Sequence, residues 1–587
     1  MDTGWLLVPK KQEGTLQKMI KRLRDRKQRF FTQSFPEFFL LYVPMDKFSR
    51  DHVFGEKDGA FYLLDGLVFN WEDLQLSKGE LEQEEEAEHT YLGACASLSR
   101  QDPQFFRPLE GTFNGLVRHA DGSYEIFTDQ LGERTVYFVP EGPGGAWLGS
   151  NYNLLMEALH ESDYEFQLNE EQFRSMVVFG GFFTGASWDR GVLRLMPGEY
   201  VHWDQGQAKR SAYHQFDFSI EDPEPSREEW IERLDREFRK NYRRELEKNR
   251  EYGYLPLLDV SGGLDSRMVT MVAKDLGYDE AYTLTYGASG SYEMQVVEKL
   301  IKKVKYPLLF SSLDDGSFLR DVEEMTRANF GSSYYIGITG GKRLLESLNQ
   351  KKFGIEHTGL MGNMGSGGYM GEETRFAYKV NRHIREGAGY QAARDSYPDL
   401  ETFYFTTRGF LWGLSSMITR RQYTESYSPF MVPRFLNLAN SIPEKYREEG
   451  KIFIDWMAKK YPEAMDIVYA TTMAKPNAGS LDRWIRYKYY YRWEGLKRKV
   501  FPGHFARKGS TDPRTMNPLD NWYRRDRESR EYLGEIVQRG LTYLEKRPGL
   551  KDIRDYFASS QPSYMEIAAF VTAVVSYEMY ILGKKSL

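Results

Sequence analysis

The stretch Ser261-Gly262-Gly263-Leu264-Asp265-Ser266 constrains this chain more than any other. It follows an apolar run with Leu255, Leu257, Leu258 and Val260, which reads as a buried strand. It precedes Met268, Val269, Val272, Ala273 and Leu276, spaced along one face of a helix that Gly277 can end. Strand, glycine turn and helix in that order expose backbone N–H groups at a helix N-terminus. Unpaired donors and the positive end of the helix dipole favour an anion there. The two glycines let the backbone approach a phosphate without a Cβ in the way. Asp265 adds a carboxylate of the kind that holds Mg²⁺ against phosphate oxygens. No Lys closes the turn, and G-x-x-x-x-G-K-[ST] occurs nowhere in the chain. The loop therefore suits a leaving pyrophosphate better than the transfer of a γ-phosphoryl group. An ordinary strand–helix turn with capping serines is the alternative reading of these residues.

The chain around the motif has 587 residues, enough for two to four domains. Hydrophobic content of 41% and charged content of 28% fit a globular protein. A net charge of −6 offers no general attraction for nucleic acid. The single cysteine, Cys95, excludes an intrachain disulfide framework and a cysteine-based zinc site, and reads as a buried thiol. No apolar run reaches membrane-spanning length, and the N-terminus lacks the apolar core of a signal peptide, so the expectation is a cytoplasmic protein.

Short strands are expected at 38–43, 60–64, 115–119, 124–128, 136–139 and 200–203, separated by Gly, Asp and Pro turns. About 35 residues, including a basic run over 18–29, precede the first of them. The run at 18–29 reads as a solvated helix face, and the acidic stretch 80–88 as an exposed loop or helix. The Pro- and charge-rich stretch 221–227 reads as a linker, giving a β-rich first domain over 1–220 and a second over 221–587. In the second, an amphipathic segment at 230–246 leads to the central strand. Residues 281–287 read as a second parallel strand and 293–304 as its helix, which predicts a doubly wound sheet with its ligand at the carboxyl ends of the strands. The late apolar segment 567–582 reads as a buried helix. Residues 484–505 interleave aromatics with Lys and Arg. That pattern reads as a helix with aromatics inward and cations outward, against the alternative of base stacking.

Residues 261–266 resemble the pyrophosphate loop of the asparagine synthetase superfamily, within the wider group of ATP pyrophosphatases. The resemblance extends over most of the chain. Leu64-Asp65-Gly66-Leu67-Val68-Phe69-Asn70 is similar to the segment around the glutamine-site Asn-Gly of class II glutamine amidotransferases. Gly111-Thr112-Phe113-Asn114-Gly115, Asp129 to Arg134 and Leu193 to Tyr200 resemble later strands of that domain. A glutaminase of this type needs a cysteine directly after the initiator Met, whose amine is base and whose thiolate is nucleophile. Here the second residue is Asp2, and Cys95 lies mid-chain. The resemblance thus implies a glutaminase-like fold without glutaminase activity.

In the second half, Thr358 to Tyr369 resembles the S-G-E-G-x-D-E-x-x-G-G-Y signature. Thr358, Gly359, Gly367, Gly368 and Tyr369 fit it, whereas Leu360 stands at the proposed base, Asn363 at the metal-binding Asp and Met364 at the next Glu. Ser428 to Pro433 resembles the family's V-P-F-L-D turn. The likeness implies that Tyr286 and Gly287 border the adenine, that Thr358 and Gly359 join Ser261, Gly262, Gly263, Leu264, Asp265 and Ser266 in holding ATP, and that Asp265 and Asn363 hold Mg²⁺. Lys451, with Lys475 as second candidate, is expected at the adenylate phosphate, so Asp265 and Lys451 are the expected catalytic residues.

The fold expectation is therefore α/β and α+β in two domains. The first is an Ntn-hydrolase-like β-rich αββα domain. The second is a doubly wound parallel-sheet domain of the adenine nucleotide alpha hydrolase-like, ATP-pyrophosphatase type. The function expected is an amide-forming ligase that activates a carboxylate as acyl-adenylate, releases pyrophosphate, and takes ammonia or a free amine. The carboxylate is a small molecule, a sugar acid or a peptide. Nucleic acid and membrane are not expected partners, and a homodimer is. A catalytically silent binding or scaffold protein is the alternative, motivated by Leu360, Asn363 and Met364. A nucleic-acid-modifying ATP pyrophosphatase is a third.

Overall fold

The computed structural model describes residues 2–74, 76, 91–219, 224–337, 339–362, 379–500 and 515–584. The acidic stretch 80–88, the start of the linker, and Asn363, Met364, Gly367, Gly368 and Tyr369 lie outside the described residues.

Alternating side chains build the first half from the strand upward. Trp5 and Leu7 point one way from the strand Gly4–Pro9, and Leu6 and Val8 the other. The strand lies inside a six-stranded antiparallel sheet ordered Leu193–Arg194, Tyr137–Gly142, Gly145–Gly149, Gly4–Pro9, Phe38–Val43, Phe31–Ser34. A second antiparallel sheet is ordered Gln207–Ala212, Glu199–Asp204, Tyr124–Thr128, Gly111–Arg118, Ala60–Val68, Val53–Lys57. Trp5 and Leu7 meet Leu63, Leu116 and Ile126 between the sheets. Leu6 and Val8 meet Leu16, Met19 and Leu23 of the helix Glu13–Asp25. On the far side, Tyr62, Leu64 and Val117 pack against Cys95 and Leu98 of the helix Leu92–Gln101. The layers are helix, sheet, sheet, helix.

One expectation is corrected here. The first strand begins at Gly4, not near residue 38, so Asp2 stands at the head of an interior strand instead of in a long leader. The short run Trp5-Leu6-Leu7-Val8 is apolar on both faces because both are covered, and it carries no alternation to betray it. The basic run over 18–29 forms a helix to Asp25 whose Met19, Ile20 and Leu23 are buried.

The second half opens with the helix Arg227–Glu251, capped by the Ser226 hydroxyl, which accepts from Glu229 N–H at 3.2 Å. A five-stranded, wholly parallel sheet follows, ordered Leu308–Ser312, Tyr282–Gly287, Leu255–Asp259, Phe353–His357, Ser426–Tyr427. Helices cover both faces. Leu258 and Val260 pack with Phe238, Tyr242, Met268 and Val297, whereas Leu257 and Leu284 pack with Leu344 and Leu345 of the helix Thr339–Ser347. In chain order the strands run third, second, first, fourth, fifth. The winding therefore reverses between Leu255–Asp259 and Phe353–His357, where a crevice opens at the carboxyl ends.

The linker at 220 is not a break in packing. Phe173 and Val177 share a core with Phe570 and Val574 of the helix Tyr564–Ser576. Near its end, Glu578 accepts from Arg539 at 3.0 Å and from the Tyr543 hydroxyl at 2.7 Å, which explains a carboxylate in that apolar segment.

The helix Ser480–Val500 departs from expectation. Trp484, Tyr489 and Trp493 are exposed, as are Leu481, Ile485 and Leu496, because this helix gives none of its described residues to the buried cores. No described helix is long and apolar enough to cross a membrane.

Leu7 is fully buried between the sheets. Leu7→Ala should lower the unfolding free energy by about 2–5 kcal/mol, the usual cost of a core cavity. Urea denaturation checks this, and a loss below ~1 kcal/mol would contradict the two-sheet packing.

Candidate functional site

The central strand Leu255–Asp259 delivers Val260 and Ser261 to the turn, and the helix Asp265–Asp275 leaves it. The turn is held by its own side chains. Ser261 N–H donates to Ser266 Oγ at 3.1 Å, and Gly263 N–H donates to Ser261 Oγ at 3.2 Å. Gly262 N–H donates to Glu293 Oε1 at 3.2 Å. The next three amides, of Leu264, Asp265 and Ser266, meet no acceptor among the described residues. Amides without an acceptor at the start of an 11-residue helix favour an anion there.

Close approach requires a glycine at the first of the two positions. A Cβ on Gly262 would lie 2.5 Å from the Ala470 side chain and 2.7 Å from that of Glu293, while one on Gly263 would meet only the Ser261 hydroxyl, at 3.1 Å. Opposite, a Cβ on Gly359 would stand 2.5 Å from the Ser266 nitrogen, so the backbone after Phe353–His357 lies directly on the helix start.

These elements enclose a cavity of about 330 Å³ at the winding reversal. Ser261, Gly263, Asp265, Ser266, Tyr286, Thr358 and Gly359, all expected in the site, line it. Burial pushes the Asp265 carboxyl up to about 7. Gly262 turns its amide to Glu293, and neither Gly262 nor Leu264 reaches the wall. Gly287 does not line the cavity, because Met516 covers it. A Cβ there would be 2.6 Å from Met516 Cβ, and Ala288 N–H donates to the Met516 carbonyl at 2.6 Å. Asn363 lies outside the described residues.

Lys451 is corrected outright. It opens the helix Lys451–Lys460 on the surface, pairs with Glu448 at 2.8 Å, and is absent from the cavity wall. Lys475 is likewise exposed and paired with Asp466 at 3.2 Å. Arg420 is the one Lys or Arg on the wall among the described residues. It reaches Asp259 at 2.9 Å and Glu356 at 3.1 Å. Burial pushes the Glu356 carboxyl well above the carboxylate range, with Arg420 opposing and Asp259 adding to the shift. Burial thus favours the protonated form of Glu356, and Arg420 bridges it to Asp259.

Asp259, Glu293, Glu356, Arg420 and Met516 were not expected in the site. The signal for two of them lay in the sequence as charges inside apolar strands, Leu257-Leu258-Asp259-Val260 and Gly354-Ile355-Glu356-His357. Glu293, Arg420 and Met516 arrive from segments remote in the chain. Among the described residues no group of three or more His, Cys, Asp or Glu side chains could hold a metal. One carboxylate, Asp265, beside three free amides does fit Mg²⁺ that arrives with phosphate oxygens.

A second, smaller cavity of about 50 Å³ joins the two halves. Asp2, Asp65, Asn114, Glu133, Arg134 and Arg421 are on its wall. Asp2 accepts from Asn153 at 3.0 Å and pairs with Arg327, so the residue after Met is tied to the second half. Arg134 pairs with Asp65 at 3.4 Å and with Glu425, and Arg421 pairs with Glu133. Burial raises the Asp65 carboxyl, but Arg134, His52 and Tyr42 outweigh it and hold it at about 2. Cys95 is fully buried far from either wall, and burial pushes its thiol up, as expected of a structural cysteine.

No protein-family model matches this sequence, and no curated protein matches it.

The Asp265 shift has a sign that stability measurements can read. The unfolded carboxyl ionises near 3.8, and the folded one near 7. Between these values the folded state holds the extra proton, so stability falls as pH rises from about 4 to about 7 and stays lower above. Asp265→Asn should therefore melt a few degrees above the parent at pH 8 and no higher at pH 4. An equal difference at both pH values would contradict the shift.

Proposed function

We propose that this chain is an ATP-dependent amide-bond-forming ligase of asparagine synthetase type. In this reading its first half is an Ntn-hydrolase-like αββα domain and its second half an ATP-pyrophosphatase domain of the adenine nucleotide alpha hydrolase-like kind. The observation that carries the reading is the trio of free amides at Leu264, Asp265 and Ser266. Two of the three residues, Asp265 and Ser266, line a cavity of about 330 Å³ at the reversal of strand order.

The substrate carboxylate attacks the α-phosphorus of ATP, giving an acyl-adenylate and pyrophosphate. An amine or ammonia then attacks the acyl carbon, the new C–N bond forms, and AMP leaves. The free amides receive the pyrophosphate charge. Asp265 and, by resemblance, Asn363 would hold Mg²⁺, which would supply neutralisation of leaving-group charge. Arg420 takes the role first expected of Lys451 as the cation of the cavity. Leu360 lines the wall where the resemblance places a base, and it accepts no proton. Asp259 on the same wall is tied to Arg420 at 2.9 Å, so the proton of the attacking amine passes to the phosphate of the departing AMP. No cysteine lines the small cavity among the described residues, so this reading takes its nitrogen from a free amine or ammonia.

The second reading is a silent nucleotide-binding or scaffold protein. Lys451 and Lys475, both turned to solvent, favour it. Calorimetric titration with Mg-ATP, followed by a pyrophosphate-release screen over sugar acids, amino acids and peptides, separates the two. Expected are binding by the parent, a loss of about tenfold or more in Asp265→Asn, and no change in Lys451→Ala. Binding without pyrophosphate release from any carboxylate leaves the silent protein. A flat Mg-ATP titration removes the ligase and leaves the scaffold.

A further inference from the structure

The phosphate cradle already holds an anion. Glu293 is the second residue of the helix Tyr292–Val304 and lines the cavity. Its two oxygens serve two different backbones. Oε1 accepts from Gly262 N–H of the turn at 3.2 Å, and Oε2 accepts from Met516 N–H at 3.3 Å. No Lys or Arg among the described residues pairs with it. The two amides and the N-terminus of its own helix are its compensation. Gly262 is a glycine partly for this contact, since a Cβ would fall 2.7 Å from Glu293 Cγ.

Met516 and Asn517 form the strap that this carboxylate holds down. Both line the cavity, Met516 is buried, and its carbonyl accepts from Ala288 N–H at 2.6 Å. One side chain thus ties the glycine turn to the cavity rim. The two serine acceptors of the turn can rotate and donate to an incoming phosphate oxygen. A carboxylate cannot, and two anions do not share one amide.

We propose that Glu293 is a built-in competitor for the cradle: a pyrophosphate group binds by displacing its carboxylate from Gly262 N–H, and the same movement releases the Met516–Asn517 strap. This rests on the reading that phosphate sits on the 261–266 turn. It assigns Glu293 as a positioning residue that couples phosphate occupancy to rim closure. With pyrophosphate on the turn the strap is loose and the product can leave. With the turn vacated, Glu293 returns to Gly262 and draws Met516 back.

The test uses the full chain and magnesium pyrophosphate as probe. Calorimetric titration of the parent, Glu293→Gln and Glu293→Ala should give affinities rising in that order, with Glu293→Ala about tenfold tighter, since a charge-assisted contact no longer has to be broken. Hydrogen exchange adds a readout that a merely structural residue would not move. The Met516 amide should exchange faster in the parent when pyrophosphate binds. In Glu293→Ala it should exchange fast with or without ligand. Binding by the parent with equal or weaker binding by Glu293→Ala overturns the assignment and makes Glu293 a ligand of the bound group. Failure of both proteins to bind overturns the phosphate reading itself, and this proposal with it. Glu293→Gln keeps the shape of the side chain, so loss of fold in Glu293→Ala leaves the ordering of parent and Glu293→Gln to decide.

Discussion

The second half is assembled around one buried cation. Arg420 closes the helix Ser415–Arg420 and reaches the ends of two adjacent parallel strands, through Asp259 and Glu356. Breaking such a pair by removing one partner commonly costs ~3–5 kcal/mol, because an uncompensated charge stays buried. The three groups therefore stand or fall together. They fix the spacing of the two strands between which the winding reverses, and so the width of the crevice. They also set its chemistry, since Arg420 is the one Lys or Arg on the cavity wall among the described residues.

The next residue, Arg421, performs the matching task for the other half. Its guanidinium donates to Thr112 Oγ1 at 2.9 Å and to the Glu133 carbonyl at 3.1 Å, and pairs with the Glu133 carboxylate. Consecutive arginines thus face two cavities, one at the glycine turn and one behind Asp2. The small cavity sits among Asp65, Arg134 and Glu425, which are bound to one another across the two halves. The shared core of Phe173 with Phe570 adds an apolar fastening at a different place. Together they make the two halves one packed body despite a linker between them.

The surface tells a different story at the helix Ser480–Val500. A chain that buries Trp5, Trp147, Trp188, Trp230 and Trp456 almost completely leaves Trp484 and Trp493 more than half exposed. The interleaving of aromatics and cations predicted a helix over 484–505, and the described part, to Val500, is one. It did not predict the facing of the aromatics, because aromatic and cationic residues alternate too closely on this segment for either to define a stripe.

Several elements were legible before any coordinates. The strand ending at Asp259, the turn 261–266 and the helix after it follow from apolar spacing and two glycines, which are local properties of a short segment. The parallel sheet followed from the same alternation of strand and helix. Cys95 as a buried thiol followed from its number and position. The strand Gly4–Pro9 was not legible, since a strand covered on both faces shows no period. Lys451 was misplaced because a lysine near the right point in the chain says nothing about which way its helix faces. Asp259, Glu293, Arg420 and Met516 meet only after some 250 residues of chain have folded back on one another. The sequence by itself determined that a glycine turn joins this strand to this helix, because backbone geometry at glycine is a local matter. Only the tertiary structure decided which charges surround that turn, because a charge finds its partner through packing and not through spacing along the chain.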